Sequence, residues 1–337
     1  MLTQRQHAIL NLLVGEYVAS AVPVPSQSIA KRHGRKMSPA TVRFEMAELE
    51  GEGYIHRRHV SSGGVPSDKG YRLHVETLPA EPDMPARETQ QVQRLFVKSA
   101  NSLEDWTRRA AELLGDMVQN MAVVSVPKAP QTKMKRLELV HLQDFLALLV
   151  LIFQGAKTKQ RILHLPEATS QDDLNALSNK VSAAYGGATY AGMIGQGDAM
   201  PATERLVLEA TREILQDEEQ APVGETFASG LRHFLAQPEF SDSTRARELL
   251  DAVEERDFIL DALSGKLADD GVRVMIGEEN GREEIDDCSV ILSRYGWPDR
   301  VGGFIAVLGP TRMKYDRSMA AARLMAQLMT SLAEDLG

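Results

Sequence analysis

The first 60 residues carry apolar side chains at helical intervals, in three short blocks divided by helix-breaking residues. Ile9, Leu13 and Tyr17 fall at i, i+4 and i+8 behind Thr3, a good N-cap, which predicts a helix to about Ser20. Val22-Pro-Val-Pro25 ends it, because proline removes a donor and restricts the residue before it. Ser26 caps a short second helix through Ile29 and Lys31 to His33, and Gly34 closes it. The third block is the most informative. Ser38 is an N-cap, Pro39 suits the first helical position, and Val42, Met46 and Leu49 form one apolar stripe. Gly51 or Gly53 stops this helix. Tyr54-Ile55-His56 then reads as a short strand leading into the basic run Arg57-Arg58-His59. Ser61-Ser-Gly-Gly64 supplies a hairpin tip, and Val65-Pro-Ser67 leads into a helical turn over Asp68 to Arg72.

Three short helices followed by strand, hairpin and strand match the winged helix-turn-helix, a motif that places a helix in the major groove and grips flanking phosphates. With Val42, Met46 and Leu49 turned inward, Ala40, Thr41, Phe44, Ala47 and Glu48 face outward, with Arg43 on the flank. Small Ala40 and Ala47 allow close approach to base edges, Thr41 and Arg43 donate to bases or phosphates, and Phe44 suits a thymine methyl or a neighbouring helix. Lys31, Lys36, Ser38, Arg57, Arg58, His59, Lys69 and Arg72 complete the candidate DNA-binding set. Glu45, Glu48, Glu50 and Glu52 repel phosphate, and read as a solvated face or as partners of arginine.

Downstream the pattern changes twice. Leu78 to Pro85 is a proline-rich acidic linker, and Arg87 to Asn120 is helical, with Val92, Phe96, Trp106 and Leu114 as core. Strand signals follow at Met121 to Val126, Arg136 to Leu142, Phe145 to Phe153 and Gln160 to Leu165, with Gln143-Asp144 as a tight hairpin. Helical signals run from Ser170 to about Ala262, broken by the glycines 186, 187, 192, 195 and 197. Strands return at Val272 to Ile276, Cys288 to Ser293 and Gly302 to Leu308, before a last helix from about Lys314 to Glu334. Strands, a helical block and strands again predict one α+β domain interrupted by an insertion.

Composition sharpens this reading at one point. The net charge of −9 argues against nucleic acid until it is divided: residues 1–76 hold ten Lys/Arg against seven Asp/Glu, and the excess of acid lies entirely beyond them. The longest apolar run, Phe145 to Phe153, is too short to span a bilayer, and the N-terminus lacks an export pattern, so a cytoplasmic protein without membrane contact is expected. A single cysteine, Cys288, excludes an internal disulfide and reads as a small core residue. The chain contains no Gly-rich phosphate loop with Lys-Ser/Thr, no HExxH and no nucleophile elbow, so no catalytic residue, cofactor or metal is expected and the protein reads as a non-enzyme. Gly277-Glu-Glu-Asn-Gly-Arg-Glu-Glu284 clusters carboxylates without companion histidines and reads as an exposed loop; Gly309-Pro-Thr-Arg312 reads as a structural turn.

With these residues in view, the chain resembles the HrcA family of heat-inducible transcription repressors. The matching segments are Leu2-Thr-Gln-Arg-Gln6 with Glu16-Tyr17, Ser38-Pro-Ala-Thr-Val-Arg43, Met46-Ala-Glu-Leu-Glu50 and Val65-Pro-Ser-Asp-Lys-Gly-Tyr-Arg72. Downstream, Ile276-Gly-Glu-Glu-Asn280, Asp287-Cys-Ser289 and Gly309-Pro-Thr-Arg-Met-Lys-Tyr315 agree in order and spacing. Two positions depart, since family members usually carry Asn where Phe44 stands and Arg where Gly64 stands. The resemblance implies a winged-helix domain over residues 1–77, a linker over 78–88, and a GAF-like domain in two parts, 89–168 and 256–337, split by an inserted, mostly helical dimerisation domain over 169–255. It also implies a homodimer on an inverted-repeat operator (the CIRCE element) in double-stranded DNA, silencing chaperone operons and kept active by a GroEL-type chaperonin. The other expectation the residues leave open is a small-molecule-responsive regulator with an effector pocket in the GAF-like domain.

Overall fold

The computed structural model describes residues 2–32, 37–57, 59, 62–79, 82–97, 102–127, 133–154, 158–193, 200–220, 225–240, 271–297 and 301–334. It is a mixed α+β fold that separates into two compact units. The first comprises Met1–Val126, Glu225–Tyr295 and Gly303–Thr330; the second comprises Pro127–Gly224 with the short stretches Gly296–Gly302 and Ser331–Gly337.

The first unit opens with helices α1 (Gln4–Ser20), α2 (Ser26–Arg32) and α3 (Pro39–Gly51). Thr3 and Gln6 form a reciprocal capping box that satisfies two orphan donors at the start of α1. Ser38 Oγ accepts from Thr41 N at the start of α3, as its position before Pro39 predicts. Ser26 is not a cap: α2 includes it, and the Pro25 carbonyl receives the first bonds of that helix. Strands β1 (Ile55–His56) and β2 (Val65–Pro66) then pair antiparallel, and Val24 makes two backbone bonds of 2.9 Å to Gly64, adding a third rung beside them. Helix α4 (Asp68–Thr77), capped by Ser67, runs further than the single turn expected. Ile9, Leu13, Ile29, Val42, Leu49 and Ile55 are fully buried between these elements, and each contributes roughly 1.5–3 kcal/mol by leaving water.

The region read as one helical stretch is two helices, α5 (Ala86–Val97) and α6 (Leu103–Val118), the second capped by Ser102. Strand β3 (Met121–Ser125) follows, buried at every position. It lies inside a five-stranded sheet between β7 (Thr226–Ser229) and β10 (Gly302–Pro310), and β9 (Cys288–Gly296) and β8 (Val272–Ile276) complete the order β7-β3-β10-β9-β8. Strand β7 falls inside the stretch read as helical. It is short, half-exposed and ends at Gly230, so it offers little alternation to read. A short helix α9 (Leu231–Leu235) follows it, and the long helix α10 (Tyr315–Glu334) buries Met319, Met325 and Met329. The helical signal over residues 241–262 lies outside the described residues.

The second unit holds a separate three-stranded sheet, β4 (Met134–Gln143), β5 (Leu146–Phe153) and β6 (Thr158–His164), in that order. These strands follow β3 in the chain and look like its continuation, yet they share no sheet with it. A tight turn joins β4 to β5, as expected, but it is made by Asp144-Phe145, one residue later than Gln143-Asp144, because Gln143 still pairs within β4. One face of this sheet packs on α7 (Gln171–Tyr185) and α8 (Ala202–Gln220), enclosing Leu137, Leu149, Leu151, Leu174, Val207 and Leu215. The described elements within residues 169–255 are mostly helical, with β7 as their one strand among the described residues, and the three strands packed on α7 and α8 come from residues 134–164.

Candidate nucleic-acid interface

Helix α3 is sealed on one side and bare on the other. Val42, Met46 and Leu49 are at most 1% exposed, whereas Ala40, Arg43, Phe44, Ala47 and Glu48 are exposed, Phe44 at 65%. Phe44 is the most exposed large hydrophobic side chain among the described residues, on the same outer face as Ala40, Ala47 and Glu48. Glu45 lies on the inner side, at i+3 from Val42, and its carboxylate receives Arg5 of α1 at 3.2 Å. The helical spacing alone places it there, although the sequence reading treated it with its neighbours as surface or arginine-bound.

The other candidate residues divide into two groups. Lys31 lies exposed in the last turn of α2, and neither it nor Arg43 makes an ion pair among the described residues. Ser38 and Thr41 lie at the start of α3, their hydroxyls 2.9 Å apart, with Ser38 committed to capping. His59 is exposed, and a turn ties its backbone to the Ser62 hydroxyl at 3.0 and 2.7 Å. Lys31, Thr41, Arg43 and His59, with Phe44, leave their polar or aromatic groups available to a ligand, whereas the Ser38 hydroxyl is used by the cap. Lys36 and Arg58 lie outside the described residues.

The second group has its cations paired within the first unit. The Arg57 side chain is only 3% exposed, and its Nε donates to Glu50 Oε2 at 2.8 Å, so it ties the base of the hairpin to the end of α3. Lys69 Nζ sits 4.2 Å from the centre of the Tyr54 ring and donates to the Glu52 carbonyl at 2.8 Å. Arg72 Nε donates to Glu279 Oε1 at 2.8 Å, and its Nη2 to the Val274 carbonyl at 2.8 Å. Burial works to raise the Glu279 pKa, yet the hydrogen bonds from Arg72 and from the Ile276 amide outweigh it, and the carboxyl is held below its ordinary range. These three cations, read as phosphate contacts, are engaged in holding the fold in this structure. Gly64 belongs with them: a Cβ there would sit 2.9 Å from both Leu13 Cδ1 and Met46 Cε, so this backbone lies against the hydrophobic nucleus.

Elsewhere the weighed alternatives resolve structurally. Asn280 donates to the carbonyls of Gly277, Ile285 and Cys288, which knits the acidic loop into two short turns. Arg312 is bound to Glu239, Gln237 and the Val18 carbonyl, so the Gly309–Arg312 turn uses its cation within the fold. Cys288 is fully buried. No group of three or more His, Cys, Asp or Glu among the described residues is placed to hold a metal ion. No described helix is long and apolar enough to cross a membrane.

Comparison with known proteins agrees with this architecture. Residues 104–319 match the family model described as HrcA protein C terminal domain. A heat-inducible transcription repressor HrcA of Dehalococcoides mccartyi is 38% identical over 336 residues, covering 100% of this chain and 97% of the relative. Another, from Herpetosiphon aurantiacus, is 35% identical, covering 99% and 96%. A crystal structure described only as a hypothetical protein at 2.2 Å resolution superposes over 100% of both chains with a TM-score of 0.66 at 18% identity, a likeness of fold alone. Similarity of this extent, at both ends of the chain and through its middle, settles the relationship: the chain belongs to the HrcA family of heat-inducible transcription repressors, and it is not an enzyme.

Proposed function

We propose that residues 2–77 are a winged-helix domain whose α3 lies in the major groove, and that a homodimer of the chain silences chaperone operons by binding an inverted repeat. The observation that carries this reading is the two-sided α3, whose inner stripe is sealed while Arg43 and Phe44 stand open in the cationic part of an acidic chain. Lys31 and His59 flank it as phosphate contacts, with Lys36 and Arg58 as candidates beyond the described residues. The β1–β2 ribbon is the stem of the wing. Two copies related by a two-fold axis read both arms of the repeat, and the second engagement follows the first at high effective concentration.

The second unit offers the surface for pairing. Val140, Leu148 and Ile162 form a row across its three strands on the face turned away from α7 and α8, and Val140 and Ile162 are 43% and 58% exposed. An apolar sheet face of this kind suits a second copy of itself. The five-stranded sheet with α6 and α10 corresponds to the GAF-like domain in this reading, the protein works in the cytoplasm, and family membership supports dependence on a GroEL-type chaperonin.

Titration of labelled inverted-repeat duplexes tests the reading. Arg43→Ala weakens specific binding more than non-specific binding, while Lys31→Ala weakens both alike and reduces the salt slope by about one. Equal binding to direct and inverted repeats, or binding insensitive to salt, overturns it. Heating abolishes retention and chaperonin with ATP restores it. The recess of about 390 Å³ beside α5 and α10, lined by Asp83, Thr89, Gln90 and Arg323, is where an effector would bind in the second reading. Ligand-dependent rises in melting temperature across a metabolite screen would favour that alternative.

A further inference from the structure

Of the four glutamates on and just after α3, two are already engaged. Glu45 receives Arg5, and Glu50 receives Arg57. Glu48 differs from both. It is exposed, and its carboxylate has no ion-pair or side-chain hydrogen-bond partner among the described residues. It lies one helical turn beyond Phe44, so the carboxylate and the 65%-exposed ring are neighbours on the same outer face. Ala40 and Ala47 beside them are small, which leaves both groups prominent.

A bare carboxylate on a DNA-facing surface is unfavourable beside phosphates, and useful only where a base edge offers it a proton. In the major groove cytosine offers its 4-amino group with no acceptor on the same base edge. Adenine sets its 6-amino group beside the N7 acceptor, which suits an amide better than a carboxylate, and guanine N7 and O6 and thymine O4 are acceptors that repel an anion. An apolar ring on the same face has one natural counterpart there, the 5-methyl group of thymine. We propose that Glu48 reads a cytosine through its 4-amino group, next to a thymine whose methyl packs on Phe44, so that α3 selects a pyrimidine-containing step and rejects guanine at the Glu48 position. This rests on the DNA-binding reading above. It deepens that reading by naming a carboxylate as a base-selecting residue.

The test starts with duplexes selected by the full-length wild-type protein from a randomised inverted-repeat library. Each position of the selected site is then substituted in turn and measured by fluorescence anisotropy. The wild type discriminates against replacement of one C·G pair by about tenfold. Glu48→Ala brings that discrimination to threefold or less while non-specific affinity rises. Glu48→Gln moves the preference toward adenine, which its amide meets at N6 and N7. Replacing one thymine by uracil, which removes only the methyl, weakens the wild type and leaves Phe44→Ala unaffected. Because Glu48 is exposed, melting temperature serves as a folding control. If Glu48→Ala selects the same bases with the same discrimination, the assignment of Glu48 is overturned while DNA binding stands. If the wild type selects no sequence at all, the DNA-binding reading falls with it.

Discussion

Gly64 shows how a single position in a hairpin is fixed by what lies behind it. Its backbone pairs with Val24, and any Cβ would press on Leu13 and Met46, two side chains of the nucleus. An arginine at this position would have to push aside Leu13 Cδ1 and Met46 Cε, the ends of two side chains packed in the nucleus. Gly64→Arg is expected to lower stability by about 1–3 kcal/mol, read as a fall in melting temperature, and to add no phosphate contact. His74 makes a second argument at this scale. Burial lowers its pKa, against the pull of the Asp316 carboxylate, and its Nδ1 lies 2.8 Å from Asn11 Oδ1. The unfolded chain therefore takes up the proton first as pH falls. The stability from a neutral His74 is complete above the unfolded value of about 6.5, and is lost as pH drops below it toward the depressed folded value. Thermal denaturation between pH 7.5 and 5.5 checks this: His74→Gln should flatten the decline, and an unchanged slope would remove His74 as its source.

At the scale of elements, the ion pair between Arg57 and Glu50 joins the end of α3 to the base of the hairpin. Arg57→Ala leaves Glu50 only partly covered by water, so a loss of about 1–3 kcal/mol is expected, below that of a fully buried pair. Urea denaturation measures the loss, and the salt slope of DNA binding should stay as in the wild type. A reduced slope would return Arg57 to the phosphate contacts. The elements themselves were largely legible. Thr3, Ser38 and Ser67 announce their helices because a cap is a local bond between neighbours in sequence, whereas the cap at Ser102 is hidden inside what reads as one continuous helix. The partners of Arg57, Lys69 and Arg72 were not legible. A cation's sequence context does not reveal that Glu279, more than two hundred residues away, lies within reach. Strand β7 was missed for a related reason, since its partner β3 lies a hundred residues earlier and its own four residues carry no alternation.

At the scale of the molecule, the strands between Met134 and His164 look like a continuation of the main sheet because periodicity reports alternation and not membership. Their second face is the clue: Leu146, Leu148, Val150 and Ile152 alternate with the buried Ala147, Leu149, Leu151 and Phe153, so β5 is apolar on both sides. In the proposed dimer, Leu148→Glu would place a charge at the centre of the outer face. Analytical ultracentrifugation should then show a monomer, while circular dichroism stays as in the wild type; a dimer that survives would move the pairing surface elsewhere. The order β7-β3-β10-β9-β8 has a further consequence for how such a chain is made. Strand β3 is synthesised well before either of its neighbours, β7 and β10, which follow it by about a hundred residues or more. Over the roughly hundred residues between β3 and β7 this wholly buried segment has no edge to pair with, which favours slow folding and offers holding factors an interval in which to bind a nascent repressor.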